Sequence, residues 1–301
     1  MTERIGFIGL GAMGSGMAAN LLRKGFTLTV MAHRSREAVE RLVAEGAREV
    51  ATPKAMALES DIVILCVTGS PEVEAAIKGR DGLASAGKPL FVIDCSTSNP
   101  AVTVPLAEEL AKSGITLVDA PLARTPKEAA EGALDCMIGG SDADFARAKP
   151  VLDAFCARVT RTGPTGSGHT MKLINNFVSM GYSTIYSEAL MLGAKAGLTP
   201  QVIDSVLRGS RMDCGFYQMF FEYVLNRNPN ALRFAMRNAL KDMTYLAAYA
   251  QSAQVANPIG AAVRNSFASA VAAGHGDGVV PMLSDVIAGL NGVTLAVKTT
   301  E

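Results

Sequence analysis

The stretch "IGFIGLGAMGSGMAANLLRKG", residues 5–25, decides how this chain is read. It opens as a short apolar strand, breaks at Gly9-Leu10-Gly11, and continues from Ala12 with the apolar spacing of a helix. Glycines spaced Gly9-x-Gly11-x-x-Gly14 carry chemical meaning only in this strand-to-helix context. The first permits a tight turn, the second lets backbone approach a pyrophosphate, and the third lets the helix pack close to the strand. The helix N-terminus then offers N–H groups to phosphate oxygens.

The pattern continues outward. Strand-like runs "RIGFIG", "TLTVMA", "DIVILCV", "LFVIDCS" and "ITLVDAP" alternate with helix-like segments Ala12–Arg23, Arg36–Glu45, Pro71–Lys78 and Ala101–Ser113. Short apolar strands separated by amphipathic helices predict an α/β Rossmann domain, a doubly wound parallel sheet with helices on both faces. Two further strands, "ALDCMIGG" and "RVTRTG", precede a break at Gly163-Pro164. Beyond it strand signals are scarce. Gly168–Lys195 holds no proline, and a helix of that span would be ~40 Å long, a linker too long for a small domain to enclose. Helix-like segments follow at Pro200–Leu207, Gly215–Leu225, Phe234–Gln251, Ile259–Ala273 and Pro281–Leu290. The expected division is a dinucleotide-binding domain over 1–163 and an all-α domain over 164–301.

Composition narrows the classes. Of 301 residues 49% are hydrophobic and 19% charged, which excludes a disordered chain. A formal net charge of +0 argues against nucleic-acid partners and a polybasic membrane anchor. Cys66, Cys95, Cys136, Cys156 and Cys214 are scattered without a C-x-x-C, as expected of reduced thiols in a cytoplasmic protein. His33, His169 and His275 show no metal-ligand spacing, so no metal is expected. At the tip of the second strand, where a carboxylate binds a ribose 2′-hydroxyl, the chain reads "VMAHRSRE". His33, Arg34 and Arg36 suit a 2′-phosphate instead, which favours NADP over NAD.

Five segments in order resemble the β-hydroxyacid dehydrogenase family, which includes 3-hydroxyisobutyrate dehydrogenases. They are the glycine segment, "DCSTSNP" (94–100), "DAPLARTPKEAAEGALDCMIGG" (119–140), "GHTMKLINNF" (168–177) and "ALKDMTYLA" (239–247). The resemblance implies a Rossmann domain, a long connecting helix and a helical domain. It also implies an NAD(P)-dependent enzyme interconverting a small 3-hydroxy acid and its semialdehyde. It places Ala12 and Met13 under the cofactor phosphates, Val67 and Thr68 on the adenosine side, Thr97 near the nicotinamide ribose, and Lys241 over the cofactor. Thr68 departs from the family's usual Leu-Pro. Lys172 is the implied catalytic lysine and Asn176 its partner.

Helix geometry agrees with that pair, because residues four apart share a face. An ammonium there can stabilise and protonate the alkoxide that forms as hydride reaches a carbonyl carbon. Taken alone, Lys172 also reads as a solvated lysine on an amphipathic helix. Much of the family has D-A-P-V-S-G-G where this chain has "DAPLART". The Arg-Thr pair resembles the sulfolactaldehyde reductase branch, and implies a substrate anion held by Ser96, Arg124, Thr125, Asn175, Asn176 and Ser179. Two readings of Arg124 stand: it clasps a carboxylate or sulfonate, or it ties its loop to a neighbouring carboxylate. Two readings of function also stand beside the dehydrogenase: an imine reductase-like enzyme and a non-catalytic NADPH-binding scaffold. The apolar long helix predicts a homodimer or homotetramer.

Overall fold

The computed structural model describes residues 3–33 and 36–295. The chain forms two compact units, one running through Lys172 and the other starting at Leu173. The division falls inside a helix, nine residues beyond the glycine-proline break.

The strands of the first unit are β1 (Ile5–Ile8), β2 (Leu28–Val30), β3 (Arg48–Glu49), β4 (Ile62–Leu65), β5 (Leu90–Asp94), β6 (Ile115–Asp119), β7 (Leu122–Ala123), β8 (Leu134–Gly139) and β9 (Cys156–Gly163). Its helices are α1 (Gly14–Arg23), α2 (Glu37–Ala44), α3 (Pro53–Glu59), α4 (Ser70–Lys78), α5 (Pro100–Ala111), α6 (Pro126–Glu131) and α7 (Asp142–Leu152). One sheet runs β3-β2-β1-β4-β5-β6-β8-β7, with β9 paired to β8. β1, β4 and β5 are buried throughout because helices cover both faces, so their sequences are continuous apolar runs. Alternation still sorts the side chains. Phe7, Ile62, Ile64, Phe91 and Ile93 join α1, α2 and α7 in one core. Ile8, Val63, Leu65, Leu90 and Val92 join α3, α4 and α5 in the other.

The sheet is mostly parallel, as expected, with an antiparallel departure at β8. β1 through β6 pair in parallel, but β8 runs antiparallel to β6 and to β7. Only Ala120 and Pro121 separate β6 from β7, and the link onward to β8 is the six-residue α6. That is too little chain for the helical crossover a parallel return requires.

Helix α8 (Ser167–Lys195) carries the chain out of the first unit. The second unit contains α9 (Pro200–Leu207), α10 (Gly215–Asn226), α11 (Met236–Ser252), α12 (Pro258–Ala270) and α13 (Leu283–Leu290). Two departures from the expected helices occur here. α12 gives way to a wide turn at Val271–His275, where Gly274 takes φ +88°. Pro281 lies in a 3-10 turn ahead of α13. Met180, Met236, Met243, Phe267 and Leu283 share one core. Tyr217, Phe220, Phe221 and Met191 share a second, with the Tyr217 and Phe221 rings stacked 4.3 Å apart.

Candidate active site

In the first unit the turn between β1 and α1 is built by close approach. Gly9 has φ +104°, and a Cβ there would lie 2.1 Å from the Cys66 carbonyl oxygen. A Cβ on Gly14 would lie 1.9 Å from the Gly9 oxygen. At Gly11, by contrast, no described atom beyond its own neighbours comes within 4 Å of a Cβ position. Ala12 beside it is exposed and Met13 half-buried. Backbone is thus open to a ligand at Gly11 while its flanks are locked, which is the arrangement a pyrophosphate needs.

Of the groups expected at the β2 tip, His33 is exposed and Arg34 lies outside the described residues. Arg36 pairs with Glu49 at 3.0 Å and Glu40 at 3.3 Å. Its hydrogen bonds to Glu49 hold the guanidinium above its ordinary value. The carboxylate absent from β2 therefore arrives on the neighbouring β3.

The loops after β4 and β5 are joined. The Val67 N–H donates to Ser96 Oγ at 3.0 Å, while Thr68 is exposed. The buried Asp94 carboxylate folds its own loop, accepting from the Ser96 N–H and the Ser98 hydroxyl, each at 2.9 Å. Thr97, half-buried, sits between these two anchored serines.

The loop at 119–128 is also pre-tied. Arg124 has φ +83° although it is not glycine. Its Nε donates to Asp135 Oδ2 at 2.9 Å, and Asp135 also meets Arg158 at 3.2 Å. Burial pushes the Asp135 carboxyl up, but Arg124 and Arg158 together bring it below its usual value. The Thr125 hydroxyl pairs with the Glu128 carboxylate and accepts from the Lys127 N–H, a capping box that starts α6. Arg124 is thus tied to a neighbouring carboxylate, and the reading as a substrate clasp concerns its remaining donors.

Lys172, half-buried, closes the first unit, and Asn176 follows one turn later on α8 in the second. Within the second unit the buried Asn176 amide donates from Nδ2 to Asp242 Oδ2 at 2.7 Å. Asn175 Nδ2 donates to Asn176 Oδ1 at 3.3 Å, and the Ser179 hydroxyl donates to the Asn175 carbonyl at 3.0 Å. Lys241 Nζ lies 3.2 Å from Asp242 Oδ1 and 5.3 Å from the centre of the Tyr245 ring. Asp242 therefore organises Asn176 and Lys241 together, a role no local pattern announces. Its one sequence signal is its place directly after Lys241 in the K-D-x-x-x-A helix. Among the described residues, no three His, Cys, Asp or Glu side chains gather as metal ligands.

A family profile of the NAD binding domain of 6-phosphogluconate dehydrogenase matches residues 4–163. A second, for the NAD-binding of NADP-dependent 3-hydroxyisobutyrate dehydrogenase, matches residues 166–283. A 3-hydroxyisobutyrate dehydrogenase of Pseudomonas aeruginosa is 36% identical, across 89% of this chain and 91% of its own. A 3-sulfolactaldehyde reductase of Escherichia coli is 32% identical, across 90% and 91%. The solved 3-hydroxyisobutyrate dehydrogenase from Salmonella typhimurium has TM-score 0.83 and 29% identity, across 94% of this chain and 99% of its own.

Proposed function

The chain belongs to the β-hydroxyacid dehydrogenase family, whose members are NAD(P)-dependent, and from that premise we propose that it interconverts a small 3-hydroxy acid and its semialdehyde, preferring NADP. Bound NAD(P) gives or takes the hydride. The residues present fit that cofactor, because the open position at Gly11 between the locked Gly9 and Gly14 is where a pyrophosphate meets backbone. His33 and Arg34 are the proposed contacts of a 2′-phosphate, with Arg36 released from Glu49 to join them. Val67, Thr68, Thr97 and Lys241 are the further proposed contacts of the cofactor.

Lys172 is the proposed acid and base. In reduction its ammonium stabilises the growing alkoxide and gives it a proton; in oxidation the neutral amine takes the alcohol proton. The observation that carries this reading is the fixed amide of Asn176. With Nδ2 committed to the buried Asp242, its Oδ1 faces the other way and keeps a lone pair beyond the one Asn175 uses. That oxygen can accept from a substrate hydroxyl. Arg124 is a proposed partner of the substrate's carboxylate or sulfonate, and Asn175 and Ser179 are proposed to bind the substrate as well. The pairing with Asp135 uses Nε and Nη2 of a group with five N–H donors. Lys172→Ala should lower kcat by about 10²–10⁴-fold while NADP binding persists. Turnover near the wild-type level would remove Lys172 from the chemistry.

A homo-oligomer belongs to the same proposal. Met171, Ile174, Val178, Tyr182, Ile185 and Leu192 are exposed at helical spacing along α8, with Leu192 76% exposed. Such a stripe is the seam of a helix that meets another copy. The five cysteines are all free thiols, which supports a reducing cytoplasm as the compartment.

A further inference from the structure

His169 is fully buried in the first unit, three residues before Lys172. Its Nδ1 lies 2.9 Å from the Thr103 hydroxyl on α5. Its Nε2 lies 3.6 Å from Asp94 Oδ2 at the end of β5, and makes no hydrogen bond among the described residues. The tautomer follows from the neighbours. The Thr103 hydroxyl lies within donating distance of two acceptors, the Asn99 carbonyl at 3.2 Å and Nδ1 at 2.9 Å; that carbonyl already accepts the Val102 and Thr103 N–H groups, so the shorter bond to Nδ1 is the better use of its proton. The ring proton then sits on Nε2 and faces the Asp94 carboxylate. The opposite tautomer would aim a lone pair at a buried anion, which is costly.

Two further bonds hold the same turn. The Asp119 carboxylate, at the end of β6, accepts the Gly166 N–H at 2.7 Å and the His169 N–H at 2.8 Å. The start of α8 is thereby moored to β5, β6 and α5 by groups that are all buried. Asp94 also shapes the loop of Ser96, Thr97 and Ser98. One imidazole thus connects the loop after β5 to the helical turn that carries Lys172.

We propose that His169 is a positioning residue: through Asp94 and Thr103 its imidazole sets Lys172 in register with the loop of Ser96, Thr97 and Ser98. This rests on the reading of Lys172 as the acid and base. A displacement of about an ångström at such a group can cost on the order of 10²-fold in rate.

The test uses the full-length protein with NADP and 3-hydroxyisobutyrate. His169→Phe keeps the ring's bulk but neither polar contact; His169→Gln keeps a donor and an acceptor. The phenylalanine variant should lose roughly 10–100-fold in kcat, with NADP affinity held within about two-fold, and the glutamine variant should regain most of it. Hydrogen exchange should rise over 94–99 and 167–172 in His169→Phe and fall back in His169→Gln, whether or not the substrate is turned over. A folded phenylalanine variant with unchanged kcat and exchange overturns the proposal. So does a loss that reaches NADP affinity equally, or one that glutamine fails to repair. If His169→Phe does not fold, the nearly isosteric Thr103→Val takes its place, and unchanged kcat and exchange there count against the idea. Lys172→Ala retaining full turnover would instead sink the underlying reading, leaving the exchange result to stand by itself.

Discussion

Two alanine substitutions a single turn apart should separate what the glycines do for the fold from what they do for the cofactor. In Gly14→Ala the new Cβ starts 1.9 Å from the Gly9 carbonyl oxygen, and must retreat by roughly 1.5 Å to reach ordinary contact. Gly9 cannot yield, because it lies against the Cys66 carbonyl just beyond the neighbouring strand β4. α1 must therefore lift from the sheet, and overpacking of this kind costs about 1–3 kcal/mol. For a chain of this size that lowers Tm by about 2–4 °C per kcal/mol. Gly11→Ala meets no described atom within 4 Å, so its stability should stay within about 0.5 kcal/mol of the parent. Its methyl instead fills the space where a pyrophosphate approaches, and a misplaced methyl group in a fitted site costs about 10–200-fold in affinity. Thermal unfolding with and without NADP, beside calorimetric titration, reads both quantities. A saturating ligand at a hundred times the parent's Kd adds about 2.7 kcal/mol to the parent and, with Kd raised about 10–200-fold, only about 0.2–1.4 kcal/mol to Gly11→Ala, so the rise in Tm on addition should be at most about half as large in the variant. If Gly11→Ala binds NADP as tightly as the parent, the open position is not the phosphate cradle. An unshifted Tm for Gly14→Ala would mean that the close contact does not set the fold.

Other expectations can be checked more briefly. Hydrogen bonds from Arg4 hold the Asp61 carboxyl at about 2, below its ordinary value. Asp61 is part-exposed, so screening reduces the pair's worth to about 0.5–1 kcal/mol. A carboxyl lowered in the folded state stabilises above its unfolded value near 4 and loses that contribution as pH falls through about 2. The urea midpoints of wild type and Asp61→Asn should therefore differ at neutral pH and converge as the pH approaches 2. Ile185, 59% exposed in the α8 stripe, should as Ile185→Glu shift sedimentation toward the monomer, and an unchanged profile would place the oligomer contact elsewhere.

The sequence made the first unit legible because its strands are short apolar runs and its glycines stand at a spacing tied to one backbone geometry. α8 was legible for its length and its freedom from proline. α3 and α7 were passed over, though Thr52 and Ser141 are helix caps and Ser141 opens a capping box with Asp144. There the signal existed and was weaker than the strand pattern around it. The two-residue β3 had no signal to offer, yet it brings Glu49 to Arg36. The site shows the same division. Lys172 and Asn176 share a helix, so their relation is local and can be counted off. The bonds of Asn176 to Asp242 and of His169 to Thr103 each span 66 residues, and no periodicity encodes a contact between groups so far apart in the chain.

Arg124 shows what such long-range ties can sustain. A non-glycine residue at φ +83° is held in a sparsely populated conformation, at a cost of order 1–3 kcal/mol. Glycine would take that backbone shape without strain, so the turn does not call for arginine. The conformation is over-determined from both sides. Ala123 is registered opposite Asp135 in the β7–β8 pair, and Thr125 is fixed by its capping box. Between them Arg124 meets the very carboxylate that its neighbour faces. Charge is also balanced locally, with Asp135 and Glu128 set against Arg124 and Arg158. For the role proposed for Arg124, an incoming anion would gain little from net field and would have to gain from the geometry of the donors. The choice between a planar carboxylate and a tetrahedral sulfonate would then turn on how the guanidinium is aimed, and Asp135 is the group it is paired with.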